Sequence, residues 1–178
     1  MSTTPSAAEK RAIAVLADFG VSEAPVPVEQ IARELGAQIT YESFEGDISG
    51  MLYRDQGAAV IGVNSRHPRT RQRFTVAHEI GHFLMHKGQP VFIDRFVRVN
   101  WRDGESDREE VQANAFAAEL LMPRDLTRSA TERTLSRRRD FTPPELVGVL
   151  AKRFEVSAAA MQYRLINLEI LNPYSLAD

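Results

Sequence analysis

Two histidines four residues apart, the first followed at once by a glutamate, form the stretch of this chain best suited to chemistry: His78-Glu79-Ile80-Gly81-His82. On a helix turning 100° per residue the two imidazoles stand about 40° apart and one turn from each other. Both rings can then converge on one zinc ion, with Zn–N near 2.0–2.1 Å. Glu79 falls about 60° further round from His82, beside the metal, where a carboxylate serves better as a base for water than as a ligand. Val76, Ile80, Phe83 and Leu84 occupy a band about 100° wide on the other side, so the segment has a core face and a chemical face. Gly81 would let another backbone approach closely. Taken alone, the five-residue pattern leaves open a blander alternative, two solvated histidines with Glu79 in a helix ion pair.

A third ligand decides between these readings, and Glu110 supplies it. In the segment Glu105–Leu121, Glu110, Asn114, Ala117 and Leu121 share one helix face at spacings of four, three and four. Glu110 would complete a His-His-Glu set with the fourth position left for water, as in thermolysin-like zinc enzymes. Asn114, one turn further on, is placed to bond the outer nitrogen of a ligand histidine and fix its tautomer. Ala113, Ala117 and Ala118 are small enough for this helix to pack close to the first. Glu109 points about 100° away and Glu119 lies on the opposite face. Manganese and iron(II) suit the same ligands, so the donor set favours zinc without excluding them.

The remaining elements have to hold these two helices. Residues 1–8 read as a frayed end with Ser6 as a cap, and Glu9–Phe19 as a helix stopped by Gly20. A second helix, Val28–Leu35, ends at Gly36. Three short segments with β character follow, Gln38–Phe44, Ser49–Arg54 and Ala58–Asn64, separated by Glu-Gly-Asp and Asp-Gln-Gly turn signals. They read as antiparallel strands, with a mixed sheet as the variant. Arg71–His86 is the first strong helix and Glu105–Leu121 the second, with an ambiguous stretch, Gln89–Asp103, between them. Arg124–Phe141 is polar and contains Arg137-Arg138-Arg139, the pattern of a solvated helix or linker. Pro143–Phe154 and Ser157–Leu171 form a final helical pair whose break at Glu155-Val156-Ser157 resembles a helix-turn-helix. The expected architecture is therefore α+β: a small three-stranded sheet against a zincin-like helical core, within a single domain spanning 1–178. The zinc-site helices occupy 70–123 and the helix-turn-helix-like pair 141–171.

The motifs also carry a resemblance. Arg-Gln-Arg-Phe-Thr-Val-Ala-His-Glu-Ile-Gly-His-Phe-Leu-Met-His (71–86), followed by Glu-Val-Gln-Ala-Asn-Ala-Phe-Ala-Ala-Glu-Leu-Leu-Met-Pro (110–123), resembles the ImmA/IrrE family of metallopeptidases. Gly50-Met51-Leu52 and Ile61-Gly62-Val63-Asn64 match that family's strands before the zinc helix. The resemblance runs from about Val28 to Leu171. It implies zinc on His78, His82 and Glu110, with Glu79 catalytic, the residues that helix geometry also selects. It further implies a protein substrate, a helix-turn-helix transcriptional repressor cleaved under stress or in control of a mobile element.

Composition narrows the field without choosing within it. With 178 residues, 43% hydrophobic and 26% charged, the chain is long enough for one core. A net charge of -2 is unlike that of a strongly basic nucleic-acid binder. The absence of cysteine excludes disulfides, thiolate nucleophiles and cysteine-ligated zinc. No secretory leader and no apolar run of roughly 20 residues are found, which points to the cytoplasm and away from a membrane.

Three functions fit these residues. In a peptidase, zinc would acidify a water and Glu79 would move its proton from water to the departing amine. Tyr53, Arg95 and His86 are candidates for a second oxyanion donor, and Ala58–Val63 for an edge strand that a peptide could join. His86 would otherwise line the cleft, and His67 reads as a loop residue. A DNA-binding regulator using the Leu150–Leu168 pair is the second function, but its latter helix begins Ser-Ala-Ala-Ala and offers few base-reading side chains. The third is a metal-binding scaffold or sensor, against which the intact Glu79 argues.

Overall fold

The computed structural model describes residues 4–55, 58–86, 91–95, 106–138 and 140–173. Seven helices and four strands follow in the order α1 (Ala7–Asp18), α2 (Val28–Glu34), β1 (Ala37–Glu42), β2 (Ile48–Asp55), β3 (Ala58–Asn64), α3 (Arg69–Met85), β4 (Val91–Arg95), α4 (Ser106–Leu121), α5 (Arg124–Arg137), α6 (Pro143–Phe154) and α7 (Ala158–Asn167). The architecture is α+β. Helix starts follow local chemistry. Ser6 and Glu9 close a capping box that starts α1 at Ala7 rather than Glu9, and Thr142 and Glu145 close another on α6. Ser157 caps α7.

The sheet corrects two expectations. Its order is β1-β3-β2-β4, with β1 parallel to β3 and the other two pairings antiparallel. Consecutive turn signals had suggested consecutive hairpins, but the connection from β1 to β2 passes the place that β3 later fills. Phe44, in that connection, packs over Gly62, where an added Cβ would stand 3.1 Å from the Phe44 ring. Strand β3 is thus internal rather than an edge for a peptide to join, as its almost unbroken run Ala-Ala-Val-Ile-Gly-Val suits. The fourth strand, β4, lies within the stretch whose conformation was ambiguous, and residues 96–103 of that stretch lie outside the described residues.

One face of the sheet builds the core. Leu52, Ile61 and Val63 are fully buried together with Val76 and Ile80 of α3 and Phe116, Leu120 and Leu121 of α4, each contributing roughly 1.5–3 kcal/mol of burial. Helix α4 packs antiparallel to α3 and is backed by α1. Gly81 permits the close approach: a Cβ there would stand 3.2 Å from the Ala113 Cα. The polar segment after α4 forms the helix α5, which buries only Thr127, Ala130 and Thr131.

The C-terminal pair is bound to this body by charge. Arg164 of α7 is buried and meets Glu119 of α4, which is fully buried, and it also donates to the Met122 carbonyl at 2.9 Å. Glu119 accepts from the Arg124 backbone at 3.1 Å, and Arg124 reaches Glu9 of α1 at 3.1 Å. On the other side Glu155, which ends α6 in a left-handed conformation, stands 3.5 Å from Arg73 of α3.

Candidate metal centre

Helix α3 presents His78 and His82 on one side, and α4 brings Glu110 across from them. His78 Nε2 lies 3.2 Å from Glu110 Oε2, His82 Nε2 lies 3.2 Å from Glu110 Oε1, and the two Nε2 atoms are 3.0 Å apart. Both histidines are buried, while Glu110 keeps 41% of its side chain exposed and so marks the open side. Ligands about 2.0–2.1 Å from a tetrahedral zinc stand about 3.3–3.4 Å from each other. These three donors already lie close to that spacing.

The outer hydrogen bonds settle which atoms face the centre. His78 Nδ1 lies 3.1 Å from Asn114 Oδ1, an acceptor, so this nitrogen carries the hydrogen and a neutral ring offers a bare Nε2. His82 Nδ1 lies 3.0 Å from His86 Nδ1, and His86 Nε2 lies 3.0 Å from Gln112 Oε1. Because the Gln112 oxygen accepts from His86 Nε2, a neutral His86 accepts at Nδ1 from His82, whose own Nε2 is then bare. Two lone-pair nitrogens and a carboxylate converging within hydrogen-bond distance suit a cation. This donor chemistry fits a zinc-like metal.

Electrostatics point the same way. Burial lowers the His82 imidazole below its ordinary value, and hydrogen bonding and charge from Glu110 only partly oppose this. Burial would raise the Glu110 carboxyl, but with their Nε2 atoms protonated His78 and His82 outweigh it and hold the group well below the usual carboxylate range, a stabilisation that a bound cation would supply in place of those protons. A neutral imidazole beside an ionised carboxylate is the protonation pattern that metal binding requires.

Glu79 is fully buried on the adjoining side of α3, against β2. A Cβ on Gly50 would overlap Thr75, stand 2.9 Å from the Gly62 carbonyl and come within 3.4 Å of Glu79 Oε1. Glycine at position 50 therefore lets the strand run flush with the helix at the glutamate. Arg54, further along the same strand, donates to the His82 and His86 carbonyls at 2.6 Å each and closes the C-terminal end of α3. Its guanidinium is lowered by burial and raised by the charge of Glu79, so the two groups feel each other.

The structure brings together His78, His82, Glu110 and Asn114, with Glu79 beside them. It places Tyr53 elsewhere: Leu52 and Arg54 point toward α3, so Tyr53, half-exposed between them, faces away. Both ring nitrogens of His86 are engaged, by His82 and Gln112. The Arg95 side chain lies outside the described residues, and His67 sits in the turn before α3. Nothing in the sequence marks Arg54 or Gln112, since each reaches the site across more than twenty residues of sequence and follows no helical or strand period.

A mixed sheet backing two antiparallel helices with a His-His-Glu cluster between them defines a zincin-like metal-binding domain. Residues 32–166 match the IrrE N-terminal-like domain, and the chain belongs to that peptidase family. It is 31% identical over 77 residues to "Metallopeptidase ImmA" of Bacillus subtilis, covering 43% of each protein. It is 35% identical over 109 residues to "Radiation response metalloprotease IrrE" of Deinococcus radiodurans, covering 60% of this chain and 30% of that one. A solved structure of a Mycobacterium tuberculosis transcriptional regulator superposes with a TM-score of 0.61 over 94% of this chain and 48% of the other. At 16% identity that likeness is one of fold. The alignments span less than half the length of each of these proteins.

Proposed function

We propose that this domain is a zinc-dependent endopeptidase in which His78, His82 and Glu110 hold the metal and Glu79 is the general base. The observation that carries this reading is the convergence of two bare imidazole nitrogens and an ionised carboxylate beside a buried glutamate. A metal bound there supplies Lewis acidity, acidifying a water and polarising a peptide carbonyl. Glu79 accepts the proton of the attacking water and delivers it to the amine nitrogen as the C–N bond breaks. Asn114 and His86 keep the two rings in the tautomers that face the centre. Gly50 and Arg54 fix Glu79 and the end of α3 against the sheet.

Among the described residues β4 is an outer strand of the sheet, and its partner β2 carries Gly50, where an added Cβ would come within 3.4 Å of Glu79. A substrate peptide joining the sheet there would pass close to the cluster. The substrate is a helix-turn-helix repressor and the setting cytoplasmic, as the family membership suggests. No helix among the described residues is long and apolar enough to cross a membrane. Direct DNA reading by α7 is disfavoured because its one arginine, Arg164, is buried against Glu119.

The test incubates the zinc-loaded protein with candidate repressors beside a Glu79→Gln variant. Wild type should cleave, and the variant should be slower by at least about 100-fold with its zinc retained. Equal cleavage by both would contradict the assignment.

A further inference from the structure

Helix α4 holds the two metal-facing imidazoles in unequal ways. Asn114 meets His78 Nδ1 directly, at 3.1 Å. For His82 the link runs through a second ring: His82 Nδ1 lies 3.0 Å from His86 Nδ1, and His86 Nε2 lies 3.0 Å from Gln112 Oε1. The end of α3 sets up this chain. His86 is the residue at which the helix stops, its backbone extended (φ -115°, ψ 90°), and its ring stands beside that of His82 with the centroids 5.0 Å apart. Arg54 donates to the carbonyls of both residues at 2.6 Å each, which holds the backbone from which the two rings hang. Both rings are buried, and Gln112 is half-buried at the outer end of the chain.

Resting on the zinc-peptidase reading, we propose that Gln112 is a positioning residue that decides, through His86, whether His82 can ligate the metal. A neutral imidazole carries one hydrogen and one lone pair on its two nitrogens, so each ring passes on the polarity it receives. With the amide oxygen of Gln112 at His86 Nε2, that nitrogen carries the hydrogen and His86 Nδ1 is an acceptor. His82 then donates from Nδ1 and turns a lone pair on Nε2 toward Glu110. A donor at position 112 reverses every step. It would engage the lone pair of His86 Nε2, His86 would donate from Nδ1, and His82 would keep its own hydrogen on Nε2, where the metal must bind. A glutamine amide offers either an acceptor or a donor end, so the polarity of the whole chain is chosen at this position. What the site needs there is an acceptor, not a glutamine as such.

The test measures zinc affinity of the full chain by chelator competition and locates the imidazole hydrogens by nitrogen NMR of histidine-labelled protein. Gln112→Leu should weaken zinc binding by roughly 10–100-fold, the range for a group that orients a ligand histidine. Gln112→Glu, which restores an acceptor, should hold the affinity at or above the wild-type value. In the zinc-loaded wild type at about pH 8, above the ordinary imidazole range, hydrogens should sit on His82 Nδ1 and His86 Nε2, with coupling transmitted across the bond between the two rings. Gln112→Met serves if the leucine variant does not fold. Wild-type affinity in the folded apolar variant, affinity in Gln112→Glu as weak as in Gln112→Leu, or a hydrogen on His86 Nδ1 would overturn the relay. If the wild type binds no zinc, the metal reading fails and the metal-free protein decides the relay separately. His86 should then carry its hydrogen on Nε2 in the wild type and Gln112→Glu and lose that preference in Gln112→Leu; the same pattern in all three sinks it.

Discussion

Helix α4 carries two buried polar clusters, one toward each end, and they are solved in opposite ways. Toward its C-terminus, Glu119 is fully buried but meets Arg164, with Arg124 3.5 Å away, so permanent cations of the chain balance its charge. Toward the N-terminus, Glu110 faces two imidazoles whose outer nitrogens are engaged by Asn114 and His86, leaving lone pairs directed at one another. The first cluster is complete within the chain and ties α1, α4, α5 and α7 together. The second is the group that the proposed function assigns to a metal. A buried charge with its partner built in is a structural device, whereas converging donors are a binding site.

Breaking each cluster should therefore read out differently. Glu119→Gln leaves Arg164 buried without its carboxylate and should cost about 3–5 kcal/mol of stability in urea denaturation, with or without zinc. If zinc addition repaired that loss, the division between the clusters would fail. Zinc at a hundred times its dissociation constant should stabilise the wild type by about 2.7 kcal/mol, and Glu110→Gln should remove most of that gain. A gain that survives Glu110→Gln would place the metal elsewhere. Asn114→Ala should weaken zinc affinity by roughly 10–100-fold, measured by chelator competition, while the zinc-free variant melts within a few degrees of wild type. Unchanged affinity would deny Asn114 its part in orienting His78.

The parts of this arrangement that follow a helical period could be read in the sequence. His78, His82, Glu110 and Asn114 fall into register because a helix fixes which residues share a face, and Gly81 with Ala113 marks where two helices can touch. Strand order could not be read this way. Nothing local says that β3 inserts between β1 and β2, although the apolar run of β3 is a sign that it is covered on both faces. Arg54 on the end of α3 and Gln112 on His86 depend on tertiary approach alone. The Glu119–Arg164 ion pair also depends on tertiary approach, and its only local sign is a lone acid within Ala-Ala-Glu-Leu-Leu-Met and an arginine within Met-Gln-Tyr-Arg-Leu.

Calorimetric titration of zinc into the metal-stripped full chain tests the metal centre most directly. Wild type and Glu79→Gln should each bind one zinc per chain with similar affinity, and His78→Ala and Glu110→Ala should lose that binding. Full-affinity binding in either ligand variant, or its loss in Glu79→Gln, would contradict the assignment of ligands and base.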